Sequence, residues 1–354
     1  MEKDIKQLIR PVIQGLTPYS SARDEYTGSD AVFLDANENP FNKPLNRYPD
    51  PYQHALKTKI ALLKDVPVEQ LFLGNGSDEA IDVLFRIFCE PGKDQVVSID
   101  PTYGMYQVCA GINDVGYKKV LLKPDFSLDK NALKAACNAQ TKLLFICTPN
   151  NPTSNSFSRK DILELVNGLE VMVIVDEAYI DFSSRESLKN EVTIHKNLVI
   201  LQTFSKAWGM AGIRLGMGIV HPEVLHYMNK VKYPYNLNAL TIKHALEAIE
   251  NTVEMQEWVH TILAERDKLE RKLKRFRFVE KVHPSDANFL LVRVRKPKKV
   301  YNYLIEKQII VRDRSNISLI EGSLRITIGS PAENAALAEA LMLYQRDFVD
   351  SCEL

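Results

Sequence analysis

Between residues 95 and 220 the chain alternates short apolar runs with longer stretches of mixed character. The runs QVVSI (95–99), KLLFICT (142–148), VMVIVD (171–176), LVILQT (198–203) and RLGMGIV (214–220) are rich in Val, Ile and Leu and bounded by turn residues. Runs that are apolar throughout, without a polar alternate, predict strands covered on both faces. Between most of them lie segments of helical spacing, such as SRKDILELVNGL (158–169). This alternation predicts an α/β fold with a mostly parallel sheet flanked by helices. After residue 250 the pattern changes. EMQEWVHTILAERDKLERKLKRF (254–276) reads as a long charged amphipathic helix. NFLLVRV (288–294), a helix around KKVYNYLIEKQ (298–308), IIVR (309–312), LRITIG (324–329) and a last helix from about Glu333 then predict a smaller α+β domain.

In an open α/β sheet, ligands sit beyond the carboxyl ends of the strands. The residues that follow each predicted strand therefore belong together. After KLLFICT comes PNNPTS with Asn151; VMVIVD ends on Asp176, with Tyr179 three residues later. LVILQTF leads to Ser205 and Lys206, and Arg214 follows a glycine-broken loop. QVVSIDP is followed by Tyr103. LFLGNGSDEAIDVLF places Gly74, Gly76, Ser77 and Asp78 in a tight turn that opens a helix. The free N–H groups of such a helix start suit a phosphate.

A lysine that ends a buried strand is costly unless its charge is used or removed. Forming a Schiff base with an aldehyde removes it. A carboxylate can hold a pyridinium nitrogen protonated, a phenol and an amide can bond a ring hydroxyl, and an aromatic face can stack. Together these groups match pyridoxal 5'-phosphate. Each feature alone has a plainer reading. GNGSDE can be a turn with an N-cap at Ser77, Asn150-Asn151-Pro152 is a turn signal, and Arg312 and Arg325 can be surface arginines. Their convergence on one sheet edge separates the two readings.

Composition narrows the classes further. Lys plus Arg and Asp plus Glu number 45 each, so nothing in the charge balance of the 354-residue chain suggests a nucleic-acid footprint or a membrane-surface helix. No apolar run approaches the roughly 18–20 residues of a membrane span. The start, MEKDIKQLIRPVIQGL, is charged and lacks an apolar segment, so no signal peptide is expected. The five cysteines, Cys89, Cys109, Cys137, Cys147 and Cys352, form no C-x-x-C pair and predict reduced thiols in the cytoplasm. The seven histidines show no ligand spacing, so no metal site is expected.

Ten stretches carry a resemblance over nearly the whole chain: LDANENP (34–40), RYPDP (47–51), GNGSDE (74–79), TPNNPT (148–153), DEAY (176–179), FSKAWGMAGIRLG (204–216), KYPYNLN (232–238), ANF (287–289), VRDRS (311–315) and LRITIG (324–329). Together they resemble the fold-type I pyridoxal-phosphate-dependent aminotransferases of the class II subgroup, within these the histidinol-phosphate aminotransferases. The resemblance implies an N-terminal arm with part of the small domain (1–45), a large cofactor-binding domain (46–248) and a small C-terminal domain (249–354). It implies that Lys206 binds the cofactor covalently and moves a proton between Cα and the cofactor. Asp176 would pair with the pyridine nitrogen, Asn151 and Tyr179 would bond the ring oxygen, and Tyr103 would stack on the ring. The backbone at Ser77 and Asp78, with Ser205 and Arg214, would hold the cofactor phosphate. Tyr48 would reach that phosphate from a neighbouring subunit, which implies a homodimer. Tyr19, Asn37, Arg312 and Arg325 would face the substrate.

The implied reaction passes an amino group from L-histidinol phosphate to 2-oxoglutarate, giving imidazole-acetol phosphate and L-glutamate, in L-histidine biosynthesis. A related aromatic-amino-acid aminotransferase, a phosphothreonine decarboxylase and a non-enzymatic cofactor-sensing domain are the alternatives. One departure stands out. The family's NPTG turn reads NPTS here, and Ser154 is expected to fit if its φ is negative.

Overall fold

Alternate residues of the central strands go to opposite layers, and that period of two organises the fold. The structure is a computed structural model that describes residues 4–20 and 31–350, so Cys352 lies outside the described residues. The strands β1 (Leu71–Asn75), β2 (Gln95–Asp100), β3 (Gly116–Leu121), β4 (Thr141–Cys147), β5 (Met172–Asp176), β6 (Leu198–Thr203) and β7 (Leu215–Val220) form a seven-stranded sheet in the order β1-β7-β6-β5-β4-β2-β3. Strands β2 to β6 pair in parallel, and β7 runs antiparallel to both β6 and β1. The mostly parallel sheet expected from the apolar runs is present.

Val97, Leu144, Val173, Val175 and Ile200 point into one core layer. Val96, Phe145, Ile174 and Leu201 point into the other, beneath the helix Gly76–Phe88. That helix buries Ala80, Ile81, Leu84, Phe85 and Phe88, a spacing that keeps one face against the sheet. Ile5, Ile9 and Ile13 join the same layer, and Arg10 anchors them through Glu90 at 3.1 Å and the Arg86 carbonyl at 2.9 Å. These residues of the expected arm therefore pack on the large sheet rather than with the small one.

Strands β8 (Val279–Val282), β9 (Phe289–Val294), β10 (Arg312–Asp313) and β11 (Ser323–Thr327) form an antiparallel sheet in the order β10-β11-β9-β8. Helices Thr252–Leu273, Pro297–Glu306 and Pro331–Phe348 cover it around Leu273, Leu290, Val292, Leu304, Leu324 and Leu341. The strand expected at IIVR shrinks to Arg312–Asp313. Ile309 N–H donates to the Leu304 carbonyl at 2.8 Å, which closes the preceding helix and removes this stretch from the ladder.

The turn after β4 ties the two sheets together. Asp286 N–H donates to the Ser154 carbonyl at 2.8 Å, and the Ser154 hydroxyl lies 2.6 Å from the Thr153 carbonyl and 3.1 Å from the Pro284 carbonyl. The condition under which Ser154 fits without strain is not met: its φ is +65°, in the left-handed region that glycine tolerates without strain. The hydroxyl's bonds offset that strain. Ser154→Gly should leave thermal stability nearly unchanged, since relief of strain offsets the lost bonds. Ser154→Ala keeps the strain and loses the bonds, at a cost of about 1–3 kcal/mol. Melting curves of the two variants check this; equal midpoints would contradict it.

Candidate active site

The ends of β4, β5 and β6 meet the start of helix Gly76–Phe88 around a cleft. Asp176, the last residue of β5, is 3% exposed. Its carboxylate accepts from the Tyr106 hydroxyl at 2.6 Å and from Ala178 N–H at 3.1 Å. Among the described residues no cation forms an ion pair with it. Burial raises its pKa, and the two hydrogen bonds oppose that rise.

Lys206 departs from expectation. It is exposed within the open cleft rather than buried, because the chain turns outward after the fully buried Phe204. Ser205 N–H bonds to Thr203 Oγ1 at 3.1 Å and fixes that turn. The Lys206 ammonium lies 5.6 Å from the centre of the Tyr179 ring. Loss of water around it and the nearby Arg325 guanidinium lower its pKa. An amine so placed gives up its proton more readily than a free lysine.

Tyr179 and Asn151 form one unit with the small sheet. Asn151 donates to the Tyr179 hydroxyl at 3.2 Å, and Arg325 donates to Asn151 Oδ1 at 2.6 Å. On the opposite side, the Tyr103 hydroxyl donates to Asp78 at 3.2 Å, and its ring meets that of Tyr106 edge-on at 5.5 Å.

The start of helix Gly76–Phe88 has no side-chain cap from Asn75. Its first-turn N–H groups lack intrahelical partners. Gly76, at φ +71°, donates to the Arg214 carbonyl at 2.7 Å. A Cβ on Gly216 would lie 2.1 Å from Ser77 N, so β7 and this turn touch backbone to backbone. The close approach leaves Arg214 Nη1 3.5 Å from Ser205 Oγ, and Ser77, Asp78, Ser205 and Arg214 all line the cleft.

This donor set fits pyridoxal 5'-phosphate. A buried carboxylate without a cation suits a pyridinium nitrogen, a phenol and an amide suit a ring oxygen, and free amides beside an arginine suit a phosphate. Among the described residues, no group of three or more His, Cys, Asp or Glu could hold a metal ion.

A second cavity opens beyond Lys206. It shares Tyr103, Asn151, Tyr179 and Lys206 with the first and adds Arg312, Arg314 and Arg325. Arg312 stands opposite Arg325 in the β10–β11 ladder.

Residues 25–341 match the family model described as aminotransferase class I and II. The chain belongs to that family. It is 53% identical over 344 residues, 97% of this chain and 100% of the other, to a histidinol-phosphate aminotransferase of Bacteroides fragilis. Its fold is similar to the histidinol-phosphate aminotransferase of Sinorhizobium meliloti solved with pyridoxal-5'-phosphate, at TM-score 0.79 and 23% identity, covering 86% of this chain and 84% of that one. It is also similar to the L-threonine-O-3-phosphate decarboxylase of Porphyromonas gingivalis, at TM-score 0.72 and 22% identity, covering 86% and 92%.

In this aminotransferase Ser77, Asp78, Tyr103, Asn151, Asp176, Tyr179, Ser205, Lys206 and Arg214 share the first cavity, while Arg312 and Arg325 share the second. Asn37 and Tyr48 line a separate cavity, where Tyr48 stacks on Tyr235 at 4.5 Å. Tyr19 is exposed beside Lys230 and Lys232 and lines neither active-site cavity within its own chain.

Two residues escaped the sequence reading. Tyr106 reads as a core aromatic three positions after Tyr103, and Arg314 is separated from Arg312 by one residue, the spacing that keeps a strand face. Tyr106→Phe keeps the ring stacked on Phe145, 4.6 Å away, and removes one bond to Asp176. A hydrogen bond to a charged group contributes roughly 1.5–3 kcal/mol, and the bond is present without cofactor, so the variant should lower the melting midpoint of the apoprotein and also weaken cofactor binding. Equilibrium dialysis measures the affinity; an unchanged value would contradict this role.

Proposed function

We propose that the enzyme transfers the amino group of L-histidinol phosphate to 2-oxoglutarate, yielding imidazole-acetol phosphate and L-glutamate in L-histidine biosynthesis. The observation that carries this reading is the arginine-walled cavity next to Lys206, in a chain that matches a histidinol-phosphate aminotransferase end to end. The fold alone does not favour transamination, because the decarboxylase shares it.

The cofactor is pyridoxal 5'-phosphate; when bound it supplies an aldehyde for the substrate amine and a ring that draws electrons from Cα. Lys206 Nζ, held with a lowered pKa above the Tyr179 ring, takes the Cα proton and returns it on the cofactor side. Asp176 holds the ring nitrogen protonated, and Tyr106 holds Asp176 in place. Tyr179 and Asn151 bond the ring oxygen, Tyr103 stacks on the ring, and Ser77, Asp78, Ser205 and Arg214 hold the phosphate. Arg312 and Arg325 receive the anionic part of the substrate. Their guanidinium forks pair with a phosphate or a carboxylate, which two different substrates in one cleft require.

The chain acts as a homodimer in this reading, with the large domain at 46–248, the small domain at 249–354 and the arm at 1–45. Tyr48, half exposed outside its own cleft, reaches the partner's cofactor phosphate. Tyr19 and Asn37, also exposed outside that cleft, meet substrate across the same interface. Free Cys89, Cys109, Cys137 and Cys147 support a cytoplasmic setting. No described helix is long and apolar enough to cross a membrane.

Arg325→Ala tests the substrate. Leaving a desolvated anion without its partner costs roughly 2–5 kcal/mol. The variant should lose about thirtyfold or more in kcat/KM for L-histidinol phosphate, at about 1.4 kcal/mol per tenfold. Histidinol, which lacks the phosphate, should lose less, only the part that follows from the broken Arg325–Asn151 bond. Equal losses for the two compounds would remove the support for a phosphate at Arg325.

A further inference from the structure

Arg314 follows β10, and its N–H donates to the Ser323 carbonyl at 3.0 Å, so the pairing with β11 continues past Asp313. Residues two apart share a face of such a ladder. Arg314 therefore lies on the face of Arg312, which stands directly opposite Arg325. All three side chains line the cavity beyond Lys206. Like charges opposite one another destabilise a sheet. No carboxylate among the described residues pairs with any of the three; Asp313, between them in sequence, has Lys298 at 4.0 Å. The Nε atoms of Arg314 and Arg325 are buried without a partner. Partial burial and the neighbouring guanidiniums lower the pKa of Arg314.

Among the described residues only the Asp313 carboxylate acts on this cluster, on Arg314, and it is shared with Lys298, so three guanidiniums are left to favour an anionic ligand of more than one charge. A carboxylate carries one charge and is matched by a single guanidinium fork. A phosphate monoester carries a charge of about −1.5 to −2 at neutral pH and offers three acceptor oxygens. Arg325 already commits one N–H to Asn151. Arg312 and Arg325 can balance the charge of a phosphate, and a third guanidinium from Arg314 lets each of its three oxygens meet a cation of its own.

We propose that Arg314 is a specificity-determining residue: it supplies the third guanidinium by which the cleft accepts a phosphate monoester, and it contributes little to a carboxylate bound there. This rests on the substrate reading above. Arg314 is half-buried in a loop and touches none of the cofactor cleft.

The test uses the full-length holoenzyme as wild type, Arg314→Gln and Arg314→Lys, with each half-reaction followed in single turnovers. Arg314→Gln should lower kcat/KM for L-histidinol phosphate at least about tenfold, through KM. L-Glutamate, which offers only carboxylates, should change by less than about threefold. Arg314→Lys, which keeps the charge, should recover part of the loss. Inorganic phosphate, competing with L-glutamate, should inhibit Arg314→Gln about tenfold less well than wild type. Equal losses with both donors, or unchanged inhibition by phosphate, would overturn the proposal. A wild-type enzyme inactive on L-histidinol phosphate would sink the substrate reading instead, and the inhibition by phosphate would still decide the role of Arg314.

Discussion

A carboxylate buried at the end of β5, with no ion pair among the described residues and, of the cations, only the Lys206 charge acting on it from further away, sets the terms for the rest of the site. Burying an isolated charge costs several kcal/mol in a protein interior, and hydrogen bonds from Tyr106 and Ala178 offset only part of that. In the proposed reading a protonated ring nitrogen would offset the remainder, so that the cofactor and Asp176 would stabilise one another. The sheet supplies the place. Cys147 pairs with Asp176, and Asp176 with Leu201, so β4, β5 and β6 end almost level. The loops that carry Asn151, Tyr179 and Lys206 therefore leave the same edge.

The small sheet completes the cleft through two links. Arg325 reaches Asn151, which reaches Tyr179, so a side chain of β11 helps to hold the phenol beside Lys206. The turn at Ser154 grips the segment before β9 through Pro284 and Asp286. The arginines proposed for the substrate and the residues proposed for the cofactor sit on different sheets, and these bonds set their spacing.

Five strands of the large sheet were legible because both of their faces are covered and their centres are mostly apolar. β1 was hidden because its apolar residues run straight into the glycine turn. β3 was hidden because it is an edge strand, with only Val120 buried among Gly-Tyr-Lys-Lys-Val-Leu. IIVR looks like a strand and mostly is not one, since the helix-closing bond at Ile309 takes precedence. The proposed cofactor residues Tyr103, Asn151, Asp176, Tyr179 and Lys206 were legible because each ends or follows a predicted strand. Tyr106 was not, because a tyrosine inside a helix facing the sheet reads as core. Arg314 was not, because an arginine in a polar loop reads as surface. The left-handed turn at Ser154 has no signal in a single sequence, and one chain by itself does not bring Tyr19, Asn37 or Tyr48 to its own cleft.

The central claim is that an ionised Asp176 keeps the cofactor's ring nitrogen protonated and thereby makes the substrate's Cα proton removable. The direct measurement is the single-turnover rate of Cα proton removal in Asp176→Asn with cofactor bound. An amide cannot hold that nitrogen charged. The loss of a charge-assisted bond of about 1.5–3 kcal/mol predicts a rate at least about tenfold lower than wild type, with the cofactor still in place. A rate equal to that of wild type, in a variant shown to be fully loaded with cofactor, would contradict the account.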